Sequence, residues 1–332
     1  MWDFSLRRST GLILRTLPFI LLRCAVYFGI TLAYILMTSI GAGVGYGIGG
    51  LGAESFRAAA TLWGGLIGFG VTGGVLYFLR EYILYTVKAG HIAVLVQLLD
   101  QDQLPAGKSQ ISYASQIVKA RFVQTNVLFA MDLLIKGVVK SITGLIQSLS
   151  NRLPIPGAGQ LMGVVKGFLR IAVGLIDEVI LAYIIRTDSQ NPWLSSRSAL
   201  VLYGQNAQSM LKNAAWLTAM MYGLSLVVFL VMLAPAAALV YFMPGGWSAA
   251  SVIFALLFAW AIKAALIEPF AIACLLQAYF HVIADQSPNP EWEARLDQVS
   301  DKFKQMKTKA QTWAQPTEPA TEIKPNSASS NG

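Results

Sequence analysis

The run AAWLTAMMYGLSLVVFLVMLAPAAALVY, Ala214 to Tyr241, the turn Met243-Pro244-Gly245-Gly246-Trp247, and the run SAASVIFALLFAWAIKAALIEPFAIACLLQAYF, Ser248 to Phe280, together decide the fold. A helix rises about 1.5 Å per residue and needs roughly 20 apolar residues to cross a bilayer. Both arms exceed that, so they read as a transmembrane hairpin. Lys263 and Glu268 sit near the middle of the second arm, where an ionised side chain is costly and must find a partner, water or a task.

The rest of the chain agrees with a life in lipid. Of 332 residues 55% are hydrophobic and 13% charged, and the mean hydropathy is +0.56, a balance too apolar for a water-soluble domain. The formal net charge of +8 comes largely from Lys and Arg flanking apolar segments. That placement suits an anionic membrane leaflet and argues against nucleic acid as a partner. Cys24 and Cys274 both lie inside apolar runs, so neither a disulfide framework nor a thiolate metal site is expected.

Upstream, a first span is expected from about Leu17 to Ile40, with Arg23 reaching back to the headgroups from its first turn. It is too long for a signal peptide and no small-residue cleavage site follows, so it reads as a retained anchor. A glycine-rich link, Gly41 to Gly52, leads to a second span from about Ala58 to Leu79, closed by Arg80. Gly41, Gly45 and Gly49, Gly64 with Gly68, and Gly70 with Gly74 repeat at steps of four, the spacing that lets membrane helices approach closely. The string Gly45 to Gly50 also spells a dinucleotide fingerprint, but it lacks a preceding strand and a ribose-binding carboxylate. Arg7, Arg8, Arg15, Arg80, Lys88 and Lys108 place both termini in the cytoplasm by the positive-inside rule, and an inner membrane is the expected location.

Between Arg80 and Lys212 the helical pattern becomes amphipathic. Ile117, Phe122, Val127, Leu134, Val138, Ile142, Leu145 and Leu149 recur at helical spacing among Lys119, Arg121, Asp132, Lys136 and Lys140, which suggests a helix at or dipping into the interface. Leu153-Pro154-Ile155-Pro156-Gly157 breaks the chain. Leu161 to Ile185 is then apolar but holds Lys166, Arg170, Asp177 and Glu178. The segments 127–149 and 161–185 can form a transmembrane pair or a re-entrant hairpin. Asn191-Pro192-Trp193 is a further break, and Ser195 to Lys212 reads as an amphipathic helix on the membrane surface.

From Asn289 the chain turns polar, and Asn289-Pro290 suits an N-cap and first turn. Trp292, Leu296, Val299, Phe303, Met306, Ala310 and Trp313 then alternate in steps of four and three, the seam of a coiled coil. The helix can pair with a second copy or another protein through Trp292, Leu296, Val299, Phe303, Met306 and Trp313. It can also lie on lipid through Lys302, Lys304, Lys307 and Lys309, or dock on its own chain. From Gln315 the tail has little to bury and is expected to be disordered.

Lys263 and Glu268 are five positions apart, about 140° around an α-helix at 100° per residue, so each is expected to need a partner from elsewhere. Lys166, Arg170 and Asp177 fall on one stripe of their helix, and Arg170 with Glu268 and Asp177 with Lys263 are the pairings their charges suggest. Pro269 removes a backbone hydrogen bond beside these charges and makes room for a kink. This internal polar set reads either as a substrate, cation or proton site or as structural charge pairing. His91 and His281 stand alone, no metal-ligand cluster exists, and no serine sits in a nucleophile elbow, so no catalytic residue, metal or cofactor is expected.

Tyr203-Gly204-Gln205-Asn206, followed by Lys212-Asn213-Ala214 and Leu217, resembles a pattern in the choline-transporter-like family, where a Tyr-Gly-x-Asn run precedes a basic residue, Asn and Ala at the mouth of a membrane helix. Two spans and a polar C-terminus follow here as there. The resemblance implies a membrane protein handling a cationic small solute such as choline, with Tyr203, Asn206 and Asn213 near its functional region.

The expected architecture is an all-α polytopic membrane bundle. It comprises an N-terminal helix pair (1–79), an amphipathic central region (80–212), a transmembrane hairpin (213–284), a cytoplasmic amphipathic helix (285–314) and a disordered tail (315–332). Its function is expected to be transporter-like handling of a small solute or lipid, or else non-transporting scaffolding through the C-terminal helix.

Overall fold

The computed structural model describes residues 2–121, 131, 133–142, 144, 176–241 and 248–313, as backbone only at 77–82, 121 and 248–250. The Met243 turn, the Leu153 to Gly157 break, Lys166, Arg170 and the tail from Gln315 lie outside the described residues, as do Phe122, Val127, Asp132, Leu145 and Leu149. Among the described residues every regular element is helical: α1 (Leu6–Arg15), α2 (Leu17–Gly49), α3 (Glu54–Asp100), α4 (Gln110–Arg121), helical residues 133–142, α5 (Ile176–Arg186), α6 (Pro192–Gln205), α7 (Ala207–Tyr241), α8 (Ser248–Ile262), a π-helical turn (Lys263–Ile267), α9 (Glu268–Val282), α10 (Pro290–Val299) and α11 (Asp301–Gln311). The chain is an all-α multi-pass membrane protein, with five helical stretches long and apolar enough to span a bilayer.

Two long antiparallel hairpins, α2 with α3 and α7 with α8, form the lipid-facing part. Leu32, Leu36, Ile40, Val44 and Ile48 on α2 are exposed, as are Leu62, Leu66, Ile67 and Val71 on α3 and Leu226, Val227, Leu230 and Val231 on α7. Such a surface is tolerable only against hydrocarbon. The α2–α3 hairpin closes through glycine. A Cβ on Gly41 would lie 2.2 Å from the Gly64 carbonyl oxygen, one on Gly45 2.0 Å from that of Ala60, and one on Gly68 2.1 Å from that of Met37. Gly41, Gly45, Gly49, Gly64 and Gly68 thus form the close seam their spacing announced, while Gly70 and Gly74 face open space.

The glycine-rich stretch is not a link. α2 runs through it to Gly49, because a backbone at membrane depth must satisfy its own hydrogen bonds and the facing glycines of α3 reward the helix with close packing. The fingerprint at Gly45 to Gly50 is accordingly the end of a membrane helix. Nor does α3 end at Arg80. It continues unbroken to Asp100, 47 residues in all, or about 70 Å at 1.5 Å per residue, more than twice the hydrocarbon thickness. The boundary expected at residue 79 therefore falls inside one helix.

The far half of α3 enters a densely packed helical head. Ala89, Ile92, Ala93, Val94 and Leu95 are buried in one core with α4, α5, α6, α9 and the buried face of residues 133–142. Of the interfacial helix expected around residues 117–149, Leu134, Val138 and Ile142 pack into this head while Lys136 and Lys140 stay exposed. α5, the described end of the second candidate re-entrant segment, is buried along nearly its whole length. The surface helix expected from Ser195 is instead central to the head: Ser195, Ser196, Arg197 and Ala199 to Gly204 are all buried.

The C-terminal heptad run is two helices. Ser300 adopts extended angles, φ −136 and ψ 103, and its hydroxyl accepts the Phe303 N–H, so a capping residue interrupts the seam. Asn289 caps α10 as its side chain suggested, accepting the Glu291 N–H at 2.8 Å.

Candidate functional site: a charge cluster where hairpins meet head

The deepest charges gather where the lipid-facing hairpins join the head. α2 contributes Arg23, α3 contributes Lys88 and His91, α5 contributes Asp177 and Glu178, and the α8–α9 arm contributes Lys263 and Glu268. Arg23 lies six residues into an apolar helix and is 2% exposed. It is not on the surface as expected, because a carbonyl and a carboxylate hold it inside.

That carbonyl comes from an irregularity in the α8–α9 arm. Over Lys263 to Ile267 the backbone is π-helical, with the Glu268 N–H bonded to the Lys263 carbonyl five residues back. In this register position 269 would donate to Ala264, but Pro269 has no N–H. The Ala264 carbonyl accepts instead from Arg23 Nη2 at 2.9 Å. The same widening brings residues five apart onto one face, so Lys263 Nζ meets Glu268 Oε1 at 2.9 Å. The α-helical spacing argument separated these two side chains, and it fails because the helix is not α there.

Glu268 has Arg23 as its second partner, Nη2 to Oε2 at 3.9 Å. Its expected partner Arg170 lies outside the described residues. Lys263 turns to Glu268 and not to Asp177. Glu178, buried at 2% side-chain exposure, pairs with Lys88. Burial works against the charged Glu178 carboxylate, yet the Lys88 ammonium more than offsets it, and its pKa falls below the ordinary value. His91 is buried: its ring stacks on Phe19 at 5.3 Å and Nε2 lies 3.0 Å from the Thr16 hydroxyl. His281 is exposed at the end of α9.

Arg23, Lys88 and Lys263 thus balance Asp177, Glu178 and Glu268 in formal charge. Among the described residues no group of His, Cys, Asp and Glu could hold a metal ion. Sequence reasoning singled out Lys263, Glu268 and Asp177 for this site and missed Arg23, Lys88 and Glu178 as members. The available signal for Arg23 was its depth in an apolar helix opposite a proline-disrupted arm.

Tyr203, Asn206 and Asn213 do not join the cluster. Tyr203 is buried in the head, where loss of water pushes its phenol pKa up. Asn206 bonds the Leu202 carbonyl at 2.9 Å and Gln286 Oε1 at 2.8 Å, tying α6 to the segment after α9. Asn213 holds the N-terminus: its amide nitrogen donates to Asp3 Oδ2 and its oxygen accepts the Asp3 N–H, both at 2.8 Å.

A second buried cation fastens the C-terminal helices. Arg197, 3% exposed, bonds Glu293 at 2.7 Å, both oxygens of Asp297 at 3.2 Å and the Phe303 carbonyl at 2.7 Å, with its guanidinium 3.8 Å from the Phe303 ring centroid. Leu296, Phe303 and Met306 are buried against the head, Trp292 packs beside Gly204, and Trp313 Nε1 donates to the Gln190 carbonyl at 3.0 Å. Val299 alone of the large apolar seam residues is left 43% exposed. Of the three dispositions open to this segment, docking on its own chain is the one observed.

Comparison with family models, with curated proteins and with solved structures finds no match.

Proposed function

We propose that this multi-pass membrane protein is a non-transporting platform, which holds its helical head against the cytoplasmic face of an inner membrane. The carrying observation is that the junction cations have carboxylate partners within the chain: Lys88 with Glu178, and Lys263 and Arg23 with Glu268. Charges that satisfy one another bolt the hairpins to the head. The positive-inside rule, through Arg7, Arg8, Arg15 and Lys108, supports the cytoplasmic side.

One observation favours the rival reading of transporter-type handling of a small solute. The π-helical turn before Pro269 puts irregular backbone beside charges at the edge of the membrane, the kind of backbone that lines solute sites. The choline-transporter-like pattern at Tyr203 to Leu217 points the same way.

Complementation of a strain lacking the protein separates the two. For a platform, the double exchange Lys88→Glu with Glu178→Lys restores function where either single reversal fails, because only the pairing matters. Removing residues 289–332 abolishes function, and a Glu268→Gln protein keeps its function to the extent that it still folds. A Glu268→Gln protein that melts like wild type yet fails to complement overturns the platform and favours solute handling.

A further inference from the structure

The pairing that balances the whole cluster is uneven within it, and the unevenness points beyond assembly. Lys88 is closed on Glu178, one cation on one carboxylate. The other half holds two cations, Arg23 and Lys263, on the single carboxylate of Glu268. A guanidinium offers five N–H donors and an ammonium three. Among the described residues these eight donors make two hydrogen bonds, Arg23 to the Ala264 carbonyl and Lys263 to Glu268 Oε1. The 3.9 Å from Arg23 Nη2 to Glu268 is an ion pair without a hydrogen bond. Arg23 Nε is buried and finds no acceptor. A buried donor left unmatched costs about 1–3 kcal/mol, so among the described residues this half is short of oxygen acceptors, with two cations on one carboxylate and the Tyr27 ring 5.9 Å from the Arg23 guanidinium.

Its position says where the acceptor comes from. Lys263 follows directly on the lipid-facing stretch of α8, where Val252, Ile253 and Leu256 are exposed, and its side chain is 31% accessible. Leu266, a turn further on, is 40% exposed. A partly accessible ammonium on a hydrocarbon-facing helix can extend its apolar stem toward the headgroups.

We infer that Arg23 and Lys263 form an oxyanion site at the membrane junction, taking the phosphate of an anionic lipid headgroup or a free oxyanion of the same chemistry. Lys263 provides the entry contact. Arg23, pinned through the Ala264 carbonyl that Pro269 leaves free, provides the fixed charge behind it. The site goes beyond the platform reading, since a bolt needs no external acceptor.

The full-length protein is purified into nanodiscs of phosphatidylcholine alone or mixed with phosphatidylglycerol, released into the gas phase, and its retained lipid counted by native mass spectrometry. The wild type retains phosphatidylglycerol in preference to phosphatidylcholine. Lys263→Gln loses that preference about tenfold, the effect of one charge-assisted hydrogen bond. Lys212→Gln, at an exposed lysine at the base of α7, does not. Arg23→Gln has the same effect if it folds; Lys263 is accessible enough that its variant decides the matter if Arg23→Gln does not. Inorganic phosphate alone separates the sources. If it raises the melting temperature of the wild type but not of Lys263→Gln, the site takes a free oxyanion; if only phosphatidylglycerol responds, the headgroup is the ligand. Equal lipid retention by wild type and Lys263→Gln, with no phosphate effect distinguishing them, overturns the inference without touching the platform.

Discussion

The stretch of α3 from Ala89 to Leu98 and the stretch of α7 from Leu224 to Leu239 are both strongly apolar, and their surroundings are opposite. In α3, Ala89, Ile92, Ala93, Val94 and Leu95 are buried on every side by protein. In α7, Leu226, Val227, Leu230 and Val231 are exposed over more than half of their surface. An apolar helix needs a non-aqueous neighbour, but lipid and protein serve equally, so apolarity alone does not say which one it has. The difference shows in what each region tolerates.

Deleting methylenes separates the two regions most sharply. Ile180→Ala in α5, at a position with no exposure, is expected to destabilise the head by about 2–5 kcal/mol in detergent unfolding, because packed neighbours close a cavity poorly. Val227→Ala on α7 should change stability by less than about 0.5 kcal/mol. If the two substitutions prove equally harmful, the division into head and lipid-facing hairpins is wrong.

A charge reverses the asymmetry. Val231→Lys places an ammonium in hydrocarbon, at about 2.5–3.5 kcal/mol against insertion, and membrane integration should drop in a glycosylation-mapping assay. Val299→Lys, on the exposed part of α10, should integrate and melt like wild type.

Within the hairpin itself, the two faces of α2 differ. Gly45→Val would drive a side chain into the Ala60 carbonyl and weaken α2–α3 association by about 1–3 kcal/mol, read as lost cysteine cross-linking across the pair. Gly47, whose Cβ would meet nothing, should accept Val with cross-linking unchanged.

Acidification gives the smallest effect and should touch the head alone. Glu178 carries a pKa depressed below its ordinary 4.5, so the stability it contributes is complete above that value and disappears as pH falls through the lower folded-state value. The head's hydrogen-exchange protection should decline over that range, and Lys88→Gln should flatten the decline. A decline that persists unchanged in Lys88→Gln would place the titration elsewhere.

Much of the lipid-facing part was legible because hydrocarbon imposes a local rule. The spans, the glycine seam and the Asn289 cap each follow from residues within a few turns of one another. Helix ends were less so: nothing local at Ile40 or Arg80 stops a helix, and both α2 and α3 run on. The Lys263–Glu268 pair was misjudged for a geometric reason, since helical angles hold only while the register does, and Pro269 with Arg23 changes it. Arg197 was unmarked because its partners Glu293, Asp297 and Phe303 lie about a hundred residues away.

By itself the sequence determined the solvent: uninterrupted apolar runs longer than a bilayer is thick have no stable home in water, whatever they pack against. The tertiary structure alone decided which apolar helices meet lipid and which meet protein, and which buried charge answers which. Those choices depend on contacts between residues far apart in the chain, and a low-dielectric interior makes each one matter without writing it into any local pattern.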